Sequence, residues 1–516
     1  MTLFLLLTAV VAVAVALPAS AQGTLDETMA GILGPIGTFL SDIVFYEMVF
    51  QLDPASCEPG TPEGECTLGV PLIVVWMGLP MLILTGYFGF INFKGFKIAW
   101  KILRGRYWDE TAPGEVSQFQ ALTTALSGTV GIGNIAGVGV AIALGGPGAT
   151  FWMIIIGFCA MSVKFAECTL GVKYRETHAD GTVSGGPMYY LKNGLANRGY
   201  VRLGLILSGI YALFGLPTIL QWATVNQMHS MVNEATGWFP QGWTFGLMLA
   251  VLVGAIIIGG IKTIVRVTSK LVPLMVFIYL SAALVIIGMN ITEVPAAFAT
   301  IFELAFNPEA AGGAIIGVII IGMRRAVYST EAGLGTSSMV HAAAKTREPV
   351  SEGMVGLMEP FIDTVVVSTI TALVIVISGA WQQPGLEDIK LTSKAFETSF
   401  VWFPYVLALA VFLFGFSTII SWGYYTEKIW TFIFGDSMRS VVTFKTLFCL
   451  LLIPGAVLTA SQVFDIIDSL FFLLAIPNIV GLYIMAPEIK ADLKSYLARL
   501  KSGEIKETVP VPSPAE

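Results

Sequence analysis

Ser127-Gly128-Thr129-Val130-Gly131-Ile132-Gly133-Asn134 interrupts an otherwise apolar stretch that runs from residue 118 to residue 143. At about 1.5 Å of rise per residue, such a stretch is long enough to cross roughly 30 Å of hydrocarbon as a helix. Glycines with Thr129 and Asn134 in its middle are poor material for a continuous one. Gly137, Gly139 and Gly145-Gly146-Pro147-Gly148 follow. A second glycine-marked opening occurs at Gly312, Gly313, Gly317 and Gly322, leading into Met323-Arg324-Arg325 and Ser329-Thr330-Glu331-Ala332-Gly333. Residue 118 to Gly131 makes about 20 Å of helix and residue 312 to Gly322 about 15 Å, which predicts both interruptions near the membrane midplane. Unwound backbone is tolerated at that depth only where it lines a protein-enclosed cavity, because lipid satisfies neither N–H nor C=O.

The surrounding composition sets the class. Of 516 residues, 55% are hydrophobic and 12% charged, against about 25% charged in an ordinary soluble domain. An all-α polytopic membrane protein is expected, since barrel strands are shorter and alternate apolar with polar residues. A balance of 28 basic and 35 acidic residues, net −7, offers no positive field for nucleic acid, and 54 glycines without a three-residue period exclude collagen. Cys159, Cys168 and Cys449 lie singly in apolar runs, His178, His229 and His341 are scattered, and neither HExxH nor CxxC occurs. Zinc hydrolysis, haem attachment and thiol redox catalysis therefore lack their ligands, and no enzyme is expected.

Eleven stretches are long enough to span: 68–92, 118–143, 149–172, 203–232, 243–261, 269–289, 312–340, 352–380, 401–433, 441–459 and 464–486. Before them, Leu3 to Leu17 followed by Pro18 and Ala19-Ser20-Ala21 has the form of a signal peptide, residues 1–21, although a start without Lys or Arg also suits an uncleaved anchor. Residues 22–67 would then be extracytoplasmic, with 28–51 an amphipathic surface segment and Cys57 and Cys66 placed for a small disulfide loop. Lys94, Lys97, Lys101, Arg104 and Arg106 put the loop after the first span inside. Later inner loops are similarly basic, and only the outer connection 381–400, with Lys390 and Lys394, departs from the pattern. The mature N-terminus is expected outside and the C-terminus inside an inner, cytoplasmic membrane.

Setting aside the extra first helix, 68–92, leaves two sets of five spans that start on opposite sides, 118–289 and 312–486, with a cytoplasmic tail at 487–516. That is the pattern of an inverted-repeat transporter. Half-helix ends at a break offer amides to a carboxylate and carbonyls to a desolvated cation, so an amino acid with sodium fits. Taken alone, Gly133 and Gly137 also read as a close helix-packing contact.

The run Ser127 to Phe151, with Lys164-Phe165-Ala166-Glu167, Tyr174-Arg175-Glu176, Gly185-Gly186-Pro187-Met188-Tyr189-Tyr190, Arg325 to Gly335, Phe361-Ile362-Asp363-Thr364 and Phe416 to Trp422, closely resembles the alanine or glycine:cation symporter family, also called sodium:alanine symporters. The resemblance spans roughly residues 68–490. It implies a leucine-transporter-type 5+5 inverted-repeat bundle that imports small neutral amino acids with Na+, without an organic cofactor, acting as a monomer. By the same resemblance the amides of Ile132 and Gly133 hold the substrate carboxylate beside Thr129, with Gln221, Gly322 and Trp422 around the substrate. One cation falls to Asn134 and the Thr129 carbonyl, another to the carbonyls of Ser127 and Val130 with the hydroxyls of Ser417 and Thr418. Oxygen ligands suit a hard cation. Taken alone, Trp422 reads more readily as a membrane-interface aromatic than as a substrate contact.

This chain departs from the family pattern at Ala326, Thr330, Ala223 and Thr426, which leaves the substrate range open. Lys164 and Glu167, three apart, suggest an ion pair on one helix face. Arg325 and Glu331 suggest either an inner gate or a static anchor. Glu359 and Asp363 either orient helices or exchange protons, so proton coupling is the alternative to sodium, and a ligand-gated channel a more distant one.

Overall fold

The computed structural model describes residues 35, 37–51, 67–178, 181–306, 315–383, 386, 388–400, 402–457 and 461–507. The expected signal segment, Cys57 and Cys66, and Gly312 and Gly313 lie outside the described residues. Strand β1 (Glu47–Gln51) pairs antiparallel with β2 (Thr67–Pro71), so the first expected span begins as a strand and turns helical only after Pro71. Helix α1 (Leu72–Tyr87) is followed, across Phe88 to Phe90, by α2 (Ile91–Leu103) at 80° to it. Gly89 and Phe90 both take left-handed backbone there (φ 67° and 57°), which is what so sharp a turn demands.

The first set of core helices comprises α3 (Gln118–Thr129), α4 (Ile132–Gly145), α5 (Gly148–Lys173), α6 (Val201–Gly215), α7 (Trp222–Thr236), α8 (Gly242–Ile257) and α9 (Gly260–Met289). After α10 (Val294–Phe306) comes the second set: α11 (Ile315–Thr330), α12 (Pro349–Ile377), a short helix α13 (Asp388–Glu397), α14 (Phe403–Phe434), α15 (Met438–Gly455), α16 (Ser461–Leu473) and α17 (Ala475–Ser502). The last of these carries the chain through residues 487–502 as helix.

Local chemistry explains why polar residues survive inside this bundle. Ser117 and Gln120 form a reciprocal capping box that starts α3, satisfying donors that lipid would leave bare. Within α3 the Thr123 and Thr124 hydroxyls donate back to the Phe119 and Gln120 carbonyls, so they need no water. Helices α5 and α12 approach closely because their facing positions are small. A Cβ at Gly157 would stand 2.4 Å from Thr364, and one at Gly353 2.7 Å from the Phe165 carbonyl.

Arg175, beyond the end of α5, ties several backbone segments together. Its guanidinium donates at 2.7 to 2.8 Å to the carbonyls of Ala342, Ala344, Pro113 and Thr346. A parallel bridge between Val116 and Ala344 runs beside it. The entry to α3 and the chain leaving α11 are thereby held as one piece.

Candidate functional site

Helix α3 stops at Thr129 because Val130 (ψ 99°) and Gly131 (φ −150°, ψ −155°) are extended; α4 restarts at Ile132, bent by 44° from α3. Interruption leaves carbonyls at the end of α3 without helical donors. The Ser127 carbonyl accepts from the Thr418 hydroxyl at 3.0 Å and from the Ser417 hydroxyl at 3.5 Å, both on α14. Ser127 and Ser421 side chains also bond, pinning the two helices at this level. Three hard oxygens from two elements thus meet beside an unwound backbone, the donor type a small hard cation takes. Among the described residues, nothing beyond its own helix and chain neighbours lies within 4 Å of where a Cβ at Gly133 would stand.

On the other side of α4, Asn134 is fully buried and donates to the Asp363 carbonyl at 2.9 Å. Its Oδ1 has no hydrogen-bond partner among the described residues, and neither has Asp363 Oδ2. The other Asp363 oxygen accepts from Thr364 at 2.5 Å, and Thr364 in turn bonds Ser329 of α11 at 2.8 Å. Two buried acceptor oxygens without donors are costly in a dry interior unless a cation or a proton sits with them.

A cavity of about 170 Å³ opens between α7, α14 and α16, lined among others by Gln221, Glu331, Thr418, Trp422 and Phe471. Trp422 is 4% exposed and leans on Phe471 and Tyr425, with ring centroids 5.3 and 5.5 Å away. It is therefore a cavity wall, not a membrane-boundary aromatic. Gln221 stands where the chain between α6 and α7 leaves regular helix, and its amide donates to the Thr218 carbonyl at 2.7 Å.

The second break is held by side chains. After Thr330 the chain leaves the helix at Glu331, a non-glycine in left-handed backbone (φ 51°), and passes Gly333 (φ 101°) and Gly335 (φ 79°) before a single turn at Ser338–His341. Its freed backbone groups find distant partners. Glu167 of α5 accepts the Gly333 N–H at 2.9 Å, Asn478 of α17 donates to the Gly333 carbonyl at 2.7 Å, and Tyr211 of α6 donates to the Leu334 carbonyl at 2.8 Å. Asn478 also donates to Glu167 at 2.8 Å and bonds Tyr190. Below this, Lys164 reaches Ser337 at 2.8 Å and Glu359 at 3.1 Å, while His341 lies between Glu352 (2.6 Å) and Glu359 (2.8 Å). All four ionisable side chains, Lys164, His341, Glu352 and Glu359, are fully buried.

Against the sequence reading, the cavity joins Gln221, Trp422 and Thr418, and Ser127, Ser417 and Thr418 converge as one oxygen set. Thr129 and Gly133 stand at the first break and outside the cavity lining, with the Thr129 hydroxyl turned back to the Ala125 carbonyl at 3.4 Å. Gly322 requires correction: it is mid-helix in α11, where a Cβ would stand 2.6 Å from the Ala149 carbonyl and 2.7 Å from Trp152, so it packs against α5 and the break falls nine residues later. Lys164 pairs with Glu359 across helices instead of with Glu167. Glu331 faces the cavity and accepts from Thr336 at 3.3 Å, while the Arg325 guanidinium lies over the Tyr328 ring at 5.7 Å. Sequence reasoning missed Asn478, Tyr211 and His341, whose partners are more than a hundred residues away or hidden in unremarkable runs.

Two interrupted helices with oxygen donors and a cavity gathered around them, inside a bundle of apolar helices, define a multi-pass secondary transporter of the leucine-transporter type. The solved structure of MhsT in complex with L-phenylalanine has a similar fold, with a TM-score of 0.52 at 15% identity over 72% of this chain and 89% of that one. The chain matches the sodium:alanine symporter family over residues 64–510 and belongs to it. It is 38% identical over 428 residues to the sodium/alanine symporter AgcS of Methanococcus maripaludis, covering 81% of this chain and 93% of that protein. It is 33% identical over 391 residues to a probable sodium/glutamine symporter, GlnT, of Bacillus subtilis, covering 75% and 80% respectively. The protein is a transporter and not an enzyme.

Proposed function

We propose that the protein imports small neutral amino acids, alanine and glycine, coupled to sodium entry, by alternating access across an inner cell membrane with its N-terminus outside and its C-terminus inside. The observation that carries this reading is the meeting of the Ser127 carbonyl with the Ser417 and Thr418 hydroxyls at the first break. Sodium bound between these oxygens takes over the contacts they now make with one another and locks α3 against α14. An amino acid then completes the site, its carboxylate on the amides that open α4 and its side chain toward Gln221 and Trp422. The relatives' names support sodium and an amino acid in common, alanine for one and glutamine for another. A wall formed by Trp422 and Phe471 favours the smaller side chain. The monomer is the transporting unit, since both breaks and the cavity lie within one chain.

Uptake of labelled alanine and glycine into proteoliposomes tests this. Accumulation driven by an inward sodium gradient and abolished by replacing sodium with potassium is expected; equal accumulation in both rejects the coupling. One observation favours a second reading, proton coupling: the buried Asp363 oxygen that has no hydrogen-bond partner among the described residues. Uptake that follows an imposed pH gradient, ignores sodium and is lost in Asp363→Asn would select it.

A further inference from the structure

Helix α2 uses one face to hold the bundle and leaves the other open. Inward, Gly95 lies so close to Met354 and Leu357 of α12 that a Cβ would stand 2.8 and 2.7 Å from them, and Asn92 donates to the Phe158 carbonyl of α5 at 2.5 Å. Outward, aromatic and basic residues alternate at helical spacing. Phe93, Lys97, Trp100 and Arg104 form one exposed row, with Phe90 and Lys94 beside it. As whole residues, Phe90, Phe93 and Trp100 are 54%, 67% and 49% exposed, with the Phe93 ring tilted against Phe158 of α5 (centroids 4.7 Å apart). The Arg104 guanidinium sits 4.9 Å above the Trp100 ring.

An open face that is half aromatic and half cationic is stable neither deep in acyl chains nor in bulk water. It suits the boundary where rings lie against acyl chains and long cationic side chains reach outward to the headgroups. We propose that this face of α2 binds anionic phospholipid headgroups of the cytoplasmic leaflet, with Lys94, Lys97 and Arg104 on the phosphates and Phe90, Phe93 and Trp100 in the layer below. The inside placement of this loop in the proposed orientation is what the assignment rests on.

An acid already docked at the end of the same helix shows what this surface selects. The Glu507 carboxylate, from beyond α17, is held by Lys101 at 2.5 Å, Arg106 at 2.8 Å and the Tyr107 hydroxyl at 3.2 Å. Hydrogen bonds from Lys101 and Arg106 push its pKa down to about 2, so the group stays anionic. A lipid phosphate presents the same charge and acceptor oxygens to Lys97 and Lys94, one and two turns earlier in α2, and to Arg104 just past its end. A second copy of the chain is disfavoured, because two such basic faces repel.

The test is native mass spectrometry of the purified full-length protein titrated with dioleoylphosphatidylglycerol or dioleoylphosphatidylcholine. The wild type is expected to retain phosphatidylglycerol preferentially. Lys94→Gln/Lys97→Gln/Arg104→Gln is expected to weaken that retention by roughly fivefold for each cation removed, on the order of a hundredfold in all. Lys94→Arg/Lys97→Arg, which keeps the charge, is expected to retain it and guards against a folding artefact. Equal retention of the two lipids by the wild type, or unchanged phosphatidylglycerol retention in the triple variant, overturns the assignment. Displacement of the lipid by millimolar inorganic phosphate assigns the face to a free anion and overturns it too. Retention by the purified protein is read without reference to which side of a membrane α2 faces, so a wrong orientation and a failure of this site are separate results.

Discussion

The Thr418 hydroxyl donates to the Ser127 carbonyl at 3.0 Å, joining the end of one half-helix in the first repeat to the long α14 of the second. This contact falls where α3 runs out of its own donors, so whatever binds there also decides how the two halves sit.

Thr418→Val keeps the shape and removes the oxygen. Loss of one ligand oxygen to a desolvated cation costs about 1–3 kcal/mol, so the sodium concentration for half-maximal alanine uptake should rise on the order of tenfold. Maximal uptake at saturating sodium should change little. A sodium titration of initial rates checks this, and an unchanged midpoint would remove Thr418 from the cation site.

Gln221→Ala and Trp422→Phe probe the cavity. Gln221→Ala is expected to abolish alanine uptake while leaving the amount of folded protein unaltered. Trp422→Phe retains an aromatic wall but shortens it, and competition of labelled alanine by an amino-acid panel should shift toward larger side chains. An inhibition pattern identical to wild type in Trp422→Phe would take that residue out of specificity.

Glu167 is read by a pair of substitutions. Gln at this position keeps an acceptor for the Gly333 N–H and for Asn478, whereas Ala leaves both donors buried and bare, at about 1–3 kcal/mol each. Glu167→Ala should lose uptake and unfold at a lower temperature, and Glu167→Gln should stay close to wild type in both. If Glu167→Gln were as damaged as Glu167→Ala, the charge itself would be what matters there and not the bracing of the break.

The buried Lys164 and Glu359 pair predicts a double-mutant cycle. Lys164→Met strands a carboxylate beside His341 and should destabilise by about 3–5 kcal/mol, while Lys164→Met/Glu359→Gln recovers part of that loss. Thermal unfolding in one detergent, followed by tryptophan fluorescence, measures both. Additive losses would show that the two side chains do not act as a pair.

The first break was legible because glycines and Asn134 stand out in an apolar run and the helix has nothing local to gain from continuing through them. The second was misplaced at Gly322 for a physical reason: a glycine in a membrane helix serves close packing as readily as unwinding, and here Ala149 and Trp152 press against it. The actual exit, at Glu331, is stabilised by Glu167, Tyr211 and Asn478, residues scattered over three other helices. No local pattern announces such partners, and the same holds for Lys164, whose helix-spaced neighbour Glu167 looked like its mate while the fold supplied Glu359. Polar residues in apolar helices marked the right places; which of them meet depends on tertiary packing.

Equilibrium binding of labelled alanine to the purified protein, in sodium and in potassium at equal ionic strength, tests the central claim most directly, because ion and substrate at one broken helix must strengthen each other reciprocally. The account predicts an alanine affinity that rises saturably with sodium, with the sodium dependence displaced to higher concentration in Thr418→Val. Alanine binding of equal strength in sodium and potassium would contradict it.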